Sequence, residues 1–223
     1  MVLRGSKGYG WYKRFVEQGE KAFLKNVPPT PFDWEANKTV LRPKAFFDIT
    51  VDMEPLGRMT FELASDVMPV TSLNFLRLCM RQGKFTYKGT KIHRIHKSIA
   101  LMGGDVEKND GTGNHSSFDA RHFDDENFII PHSGRGLLSM ASIGIDTNGS
   151  QFYISFSATT HMNGRCPVFG RMVEGEKHLK TIEDLFTFRG APSAEVAIAD
   201  CGAEDYETFM AENDIVSKIS ASA

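Results

Sequence analysis

The sequence lacks any long hydrophobic run, and no stretch approaches the roughly 18 uninterrupted apolar residues that a membrane-spanning helix needs. Its start, Met1 to Lys7, has no apolar core of the kind found in secretory signal peptides. We therefore expect no membrane partner and a cytoplasmic location, with mitochondrion and nucleus as alternatives. Glu17 and Glu20 count against a mitochondrial presequence, because such peptides are poor in acidic residues.

Cysteine and net charge are also scarce. The 223 residues include three cysteines, Cys79, Cys166 and Cys201, which cannot all pair with one another and show no Cys-x-x-Cys spacing. A reducing compartment is the simpler interpretation. The formal net charge is −2, so nothing points to a nucleic-acid-binding surface on the scale of the whole molecule. We expect no nucleic-acid partner.

Phenylalanine, by contrast, is abundant at 17 residues, beside 20 glycines. This pairing favours short aromatic strands joined by tight turns over a helical bundle. Apolar residues three and four apart predict helices at 69–79 and 176–186, and Pro55 with Gly57 predicts a turn at 54–57. Strands are predicted at 44–52, 58–63, 91–96, 99–102, 136–141, 151–156, 167–173 and 195–199. Many short strands with only two helices indicate a closed antiparallel barrel.

The chain divides into three zones. Residues 1–43 are basic and aromatic, with an amphipathic helix expected at about 9–25 and a proline-rich stretch after it. That helix either packs on the main domain or binds a partner protein. Residues 44–202 form the main domain. Residues 203–223 are acidic, and a short helical stripe of Phe209, Ile215, Val216 and Ile219 is expected there.

The usual reactive motifs are missing. His93 and His96 lie three apart on a predicted strand, so their side chains point to opposite faces, and no other histidine has zinc-ligand spacing. The glycine pairs lack the lysine of a phosphate-binding loop, and neither Ser139 nor Ser150 lies in a nucleophile elbow. We expect no metal and no cofactor. Residue chemistry alone indicates a binding barrel without an obvious reactive group.

Four segments resemble the cyclophilin family of peptidyl-prolyl cis-trans isomerases in order, spacing and residue identity. They are 87–95, 103–105 with 109–113, 123–128 running on to 136–141, and 147–154 followed by 167–170. The resemblance extends over residues 44–202. It implies a closed eight-stranded antiparallel β-barrel capped by two α-helices, with a peptide groove on its outer wall. It also implies proline-containing peptide or protein segments as partners, and rotation about the X–Pro amide as the reaction.

The same resemblance suggests roles for individual residues. Arg94 matches the catalytic arginine, which donates to the twisted amide; a surface ion pair is the alternative interpretation. Gln151 matches a residue that hydrogen-bonds the substrate backbone or orients Arg94. Tyr153 stands where the family usually has phenylalanine, as a wall of the proline pocket, and a core aromatic is the alternative. The remaining substrate-binding positions are His93, Ile99, Ala100, Met102, Ala141, Ser142, His161, Met162 and Cys166.

Several pocket positions depart from the family pattern. Where the family has Phe-Met-x-Gln, this chain has Ile99-Ala100-Leu101-Met102, which reduces two bulky walls and loses a glutamine that supports the arginine. His161 replaces a tryptophan, and Cys166 replaces a histidine. Each lost buried apolar group costs on the order of 1–3 kcal/mol of binding. We expect a slow or selective isomerase that binds cyclosporin weakly; a non-catalytic peptide-binding module in a larger complex and a chaperone-like holder are the alternatives.

Overall fold

The computed structural model describes residues 32–36 and 41–212. The helices there are α1 (Pro69–Cys79), α2 (Glu176–Asp184) and α3 (Tyr206–Glu212), and a 3-10 turn covers Thr160–Met162. The strands are β1 (Lys44–Val51), β2 (Glu54–Leu63), β3 (Arg94–His96), β4 (Ala100–Gly103), β5 (Leu137–Met140), β6 (Phe152–Ser155), β7 (Val168–Glu174), β8 (Thr187–Phe188), β9 (Ala191–Pro192) and β10 (Val196–Glu204). The helix expected at 9–25 lies outside the described residues, as do Ile215, Val216 and Ile219 of the predicted stripe.

Eight strands form one antiparallel sheet in the order β10-β1-β2-β7-β5-β6-β4-β3. Its edge strands β3 and β10 form no ladder with each other, so the sheet is an open, curled half-barrel and the expectation of a closed barrel is wrong. The chain before β3 does reach β10, where Lys91 forms a single bridge with Ala197 and the amide of Ile92 donates to the carbonyl of Val196 at 2.9 Å. Residues 91–92 therefore pair with β10 and 94–96 with β4, which divides the strand predicted at 91–96.

The core lies inside the curled sheet and is rich in aromatic rings. Along β1, Phe47 is one of the alternate residues that are buried. Its ring centroid lies 5.6 Å from that of Tyr87 and 5.4 Å from that of Phe152. The hydroxyl of Tyr87 donates to the backbone carbonyl of Ser150 at 2.7 Å, so even this buried polar atom is satisfied. The surplus of phenylalanine is thus explained in part by a packed aromatic cluster.

Helix α1 has the predicted bounds. Pro69 lies in its first turn, where a missing amide hydrogen costs nothing. The carboxylate of Glu126 accepts hydrogen bonds from the amides of Val70 and Thr71 at 3.0 Å each, which places a negative charge at the positive end of the helix. Helix α2 ends at Asp184, two residues before the predicted end. In the described part of the chain no helix has the length and apolar character needed to cross a membrane.

A further difference from the sequence prediction concerns the turn between β1 and β2. The turn between β1 and β2 is made by Asp52 and Met53, which have φ angles of 49° and 69°. Residues 54–57 belong to β2, where the register shifts by one residue and accommodates Pro55, so the predicted turn is wrong. The third described helix, α3, lies in the 203–223 segment, where the sequence predicts a short helical stripe, and its Phe209 is fully buried in the core. The division of the chain after residue 202 remains a prediction, and β10 itself continues to Glu204.

Candidate active site

Strands β3, β4 and β6 present two faces of opposite character. Ile95 lies opposite Leu101, and Leu101 opposite Ile154, and all three side chains are buried in the core. Side chains alternate along a strand, so the residues next to these three project from the other face. The apolar core face therefore fixes which residues this part of the sheet presents outward.

The outward residues form one row across the three strands. Arg94 of β3 lies opposite Met102 of β4, which in turn lies opposite Tyr153 of β6. Ala100, two residues before Met102, is on the same face and lies opposite Ser155. The row runs from the exposed Arg94 to the half-buried Tyr153, with Met102 only 6% exposed between them. Three predicted site residues are thus adjacent on one wall.

Arg94 has its hydrogen-bond donors available. Among residues 32–36 and 41–212, no carboxylate lies within ion-pair distance of its guanidinium. The alternative interpretation as a surface ion pair is therefore not supported within these ranges. A guanidinium keeps its charge and presents several donors in one plane, which suits it to bind an amide that changes geometry.

Gln151 is bonded to the loop beside the row. Its side-chain nitrogen donates to the carbonyl of Gly111 at 3.0 Å and to that of Gly113 at 2.5 Å. Its own amide donates to the side chain of Asn114 at 3.0 Å. Gln151 therefore holds the loop around residue 112 beside the site, and its action on Arg94 or on a substrate backbone stays a prediction.

That loop is organised by one buried carboxylate. Asp105 is fully buried and accepts hydrogen bonds of 2.9–3.2 Å from the backbone amides of Glu107, Lys108, Asp110, Gly111 and Gly113. Burial alone would raise the pKa of Asp105, but the amide hydrogen bonds outweigh it and lower the pKa to about 2. An ionised Asp105 thus keeps Gly111 and Gly113 where Gln151 meets them.

The predicted residues His161, Met162 and Cys166 lie in a compact turn that includes the 3-10 segment. The amide of Met162 donates to the carbonyl of Thr159 at 2.8 Å, and the amide of Cys166 donates to the carbonyl of Met162 at 3.2 Å. His161 is exposed, whereas Met162 and Cys166 are half-buried. The ring of His161 is therefore at the surface, and Met162 and Cys166 form a half-buried side of the turn.

Electrostatic interactions connect this turn to the row on the sheet. Burial raises the pKa of Tyr153 to about 12; the nearby Cys166 raises it further, and the charge of Arg94 opposes both. Among the described residues no hydrogen bond reaches the Tyr153 hydroxyl. Arg94 and Cys166 accordingly lie close enough to Tyr153 to act on its charge, and the role of Tyr153 as a wall of the proline pocket stays a prediction.

The other predicted residues border this wall. Ala141 follows β5, is 6% exposed and donates its amide to the carbonyl of Gln151 at 2.8 Å, while Ser142 beside it is half-buried. Ile99 is 41% exposed in the turn before β4. His93 precedes β3 and lies against the loop, where a Cβ atom at Gly111 would be only 2.7 Å from its ring.

Two residues near Arg94 were not predicted. Gly190, in the turn between β8 and β9, lies against the Arg94 side chain, and His96 lies against the same glycine. Strands of two residues are too short for a periodic pattern, and the sequence therefore carries no strong signal of this hairpin.

A comparison with protein families agrees with this geometry. The family of cyclophilin type peptidyl-prolyl cis-trans isomerase/CLD proteins matches residues 46–203. The match includes all of the site residues discussed above and more than half of the chain. The chain therefore belongs to the cyclophilin type peptidyl-prolyl cis-trans isomerase family.

Proposed function

We propose that this protein catalyses cis–trans isomerisation of X–Pro bonds in peptide and protein segments, slowly or selectively. The observation that carries the proposal is the position of Arg94, whose guanidinium has no carboxylate partner among the described residues, at the exposed end of the Met102–Tyr153 wall. A proline ring against that wall brings its amide within reach of the guanidinium.

The proposed reaction makes and breaks no covalent bond. Resonance gives the peptide bond a rotational barrier of about 18–20 kcal/mol, and uncatalysed X–Pro exchange takes roughly 10–100 s. As the amide twists, its nitrogen regains a lone pair, which accepts a hydrogen bond that the planar amide does not. Arg94 donates to that nitrogen and so stabilises the twisted state more than the planar one, which lowers the barrier.

Exchange spectroscopy by NMR on a short X–Pro peptide, with catalytic amounts of protein, tests the proposal. Wild-type protein is expected to accelerate exchange, and Arg94→Ala to reduce the acceleration by about 100-fold, the cost of removing one key donor. Arg58→Ala is the matched control, because Arg58 is an exposed arginine of β2 paired with Asp48. Wild-type protein that accelerates no peptide, or an equal loss in both variants, would contradict the proposal.

A non-catalytic peptide-binding module is the second candidate. It is favoured by Met102, which lies opposite Arg94 in the ladder and whose thioether is only a weak hydrogen-bond acceptor for a guanidinium. Peptide binding by calorimetry without any acceleration would support this candidate. Weak cyclosporin binding and the cytoplasmic location stay predictions.

A further inference from the structure

Strand β3, which carries Arg94, is short and lies at the edge of the sheet. It has three residues, and its ladder partner is β4, where Arg94 lies opposite Met102. A three-residue edge strand with one partner is weakly restrained, and an arginine side chain adds several rotatable bonds. A donor that must meet a twisting amide needs a further restraint.

The hairpin of β8 and β9 supplies a contact on the open side. The backbone amide of Ile95 donates to the carbonyl of Gly190 at 2.7 Å. The base of the hairpin is closed by the amide of Ser193, which donates to the carbonyl of Phe186 at 2.9 Å. The tip is therefore fastened to β3 at the residue next to Arg94.

Gly190 also lies close to the Arg94 side chain. Its φ angle is +87°, a conformation that side chains with a Cβ rarely adopt. A Cβ atom at this position would lie 3.3 Å from Cγ of Arg94, 3.7 Å from its Cδ and 3.2 Å from Cε1 of His96. The absence of a Cβ atom thus leaves room for the aliphatic part of Arg94 beside the hairpin backbone.

We propose that Gly190 is a positioning residue. It holds the aliphatic stem of Arg94 beside the hairpin tip, so that the guanidinium points over the Met102–Tyr153 wall. The inference rests on the proposed isomerase function. The hairpin acts through Arg94 and does not itself contact the reacting amide. A methyl group at position 190 would move the stem by a few tenths of an ångström. Because displacement of a catalytic group by about 1 Å can cost up to roughly 100-fold in rate, this smaller shift should cost several-fold.

Gly190→Ala tests the inference, with Gly89→Ala as its matched control. Gly89 has nearly the same φ angle, +82°, but a Cβ atom there would meet no atom within 4 Å. Both variants carry similar backbone strain, so both should lose similar thermal stability. On a short X–Pro peptide, Gly190→Ala should lower kcat by roughly fivefold with KM nearly unchanged, while Gly89→Ala should keep kcat within about twofold.

A spectroscopic readout separates positioning from mere destabilisation. The Nε–Hε resonance of Arg94, assigned by its loss in Arg94→Ala, should shift in Gly190→Ala and stay in place in Gly89→Ala. Equal kcat losses in the two glycine variants, or an unmoved Arg94 resonance, would overturn the inference. Wild-type protein without activity would instead overturn the proposed function, and the resonance would still decide whether Gly190 positions Arg94.

A rescue variant provides for the case that Gly190→Ala folds poorly. His96 crowds the same added methyl group at 3.2 Å, so His96→Ala gives the methyl room to move away from Arg94. Gly190→Ala should therefore lower kcat less when it is made in the His96→Ala protein than when it is made in the wild-type protein. An equal loss of kcat in the two proteins would contradict crowding as the cause.

Discussion

His132 and Asn163 are joined by two hydrogen bonds to one atom. The backbone amide of His132 donates to Oδ1 of Asn163 at 2.8 Å, and the His132 ring nitrogen Nδ1 lies 3.1 Å from the same oxygen. Because that oxygen is an acceptor, Nδ1 carries the proton, and Nε2 is buried without a hydrogen-bond partner among the described residues. The contact fixes the turn that carries His161 and Met162.

We expect this contact to make stability depend on pH. Burial lowers the pKa of His132 from 6.5 to about 4; the Asn163 hydrogen bond opposes the shift and His161 adds to it. His132 is therefore protonated below about pH 6.5 in the unfolded chain, but only below about pH 4 in the folded protein. The free energy of unfolding should fall as pH drops through this window, by about 3 kcal/mol.

Urea unfolding at pH 7, 6, 5 and 4 measures this dependence. His132→Gln should be less stable than wild type at pH 7 and should lose less stability on acidification. His115→Gln, which removes a half-buried histidine elsewhere, should retain the wild-type slope. A slope unchanged by His132→Gln would contradict the assignment.

Asp105→Asn should weaken the loop that meets Gln151. Asparagine keeps the shape but loses the charge that five backbone amides share, so we expect a loss of about 2 kcal/mol in the free energy of unfolding at pH 7. The folded pKa of about 2 is below the unfolded value of 3.8, so the stabilisation is present above pH 4 and is lost as pH falls toward 2.

Chemical unfolding of both proteins between pH 7 and pH 2 checks this expectation. The difference between wild type and Asp105→Asn should shrink below pH 4. Asp110→Asn, on an exposed carboxylate in the same loop, should leave stability nearly unchanged. Equal losses from the two substitutions would mean that the loop does not depend on the buried charge.

The parts of the fold predicted from sequence are those with a local periodic pattern. Alternation of buried residues in β1 and the three-and-four spacing in α1 follow from burial of one face, and both elements have nearly the predicted bounds. The change of partner at His93 depends on how two distant segments meet, and the sequence carries no signal of it. For the same reason the open sheet edge between β3 and β10 was not predicted.

The candidate site shows a similar division. The family resemblance predicted roles for Arg94 and Tyr153, and strand alternation accounts for their common face. For Gln151 the resemblance implied a bond to the substrate backbone or to Arg94, and this stays a prediction; its contacts with Gly111 and Gly113, about forty positions earlier in sequence, were not predicted. Such long-range contacts depend on tertiary packing and not on any local residue pattern.

His161→Trp should increase the affinity of the protein for cyclosporin and for proline-containing peptides. His161 is exposed in the turn, so an indole fits without displacing buried atoms, and it adds apolar contact for a bound ring. We expect cyclosporin and proline peptides to bind about 10-fold more tightly, which corresponds to about 1.4 kcal/mol. Calorimetry gives the affinities. Thr160→Trp, an exposed neighbour in the same turn, is the control, and an equal gain there would show nonspecific adhesion to the indole.

Tyr153→Phe should improve binding of proline for a different reason. The Tyr153 hydroxyl has no hydrogen-bond partner among the described residues, and a proline ring against the wall would cover it. Covering an unsatisfied hydroxyl costs about 1–3 kcal/mol, so its removal should tighten binding by about 10-fold. Arg94 is unchanged in this variant, so kcat should stay within about twofold.

Peptide titrations and exchange rates, measured together, separate the effect on binding from the effect on kcat. Weaker binding by Tyr153→Phe would show that the hydroxyl hydrogen-bonds the substrate. Because burial raises the pKa of Tyr153 to about 12, the difference between the two proteins should be the same at pH 7 and pH 9.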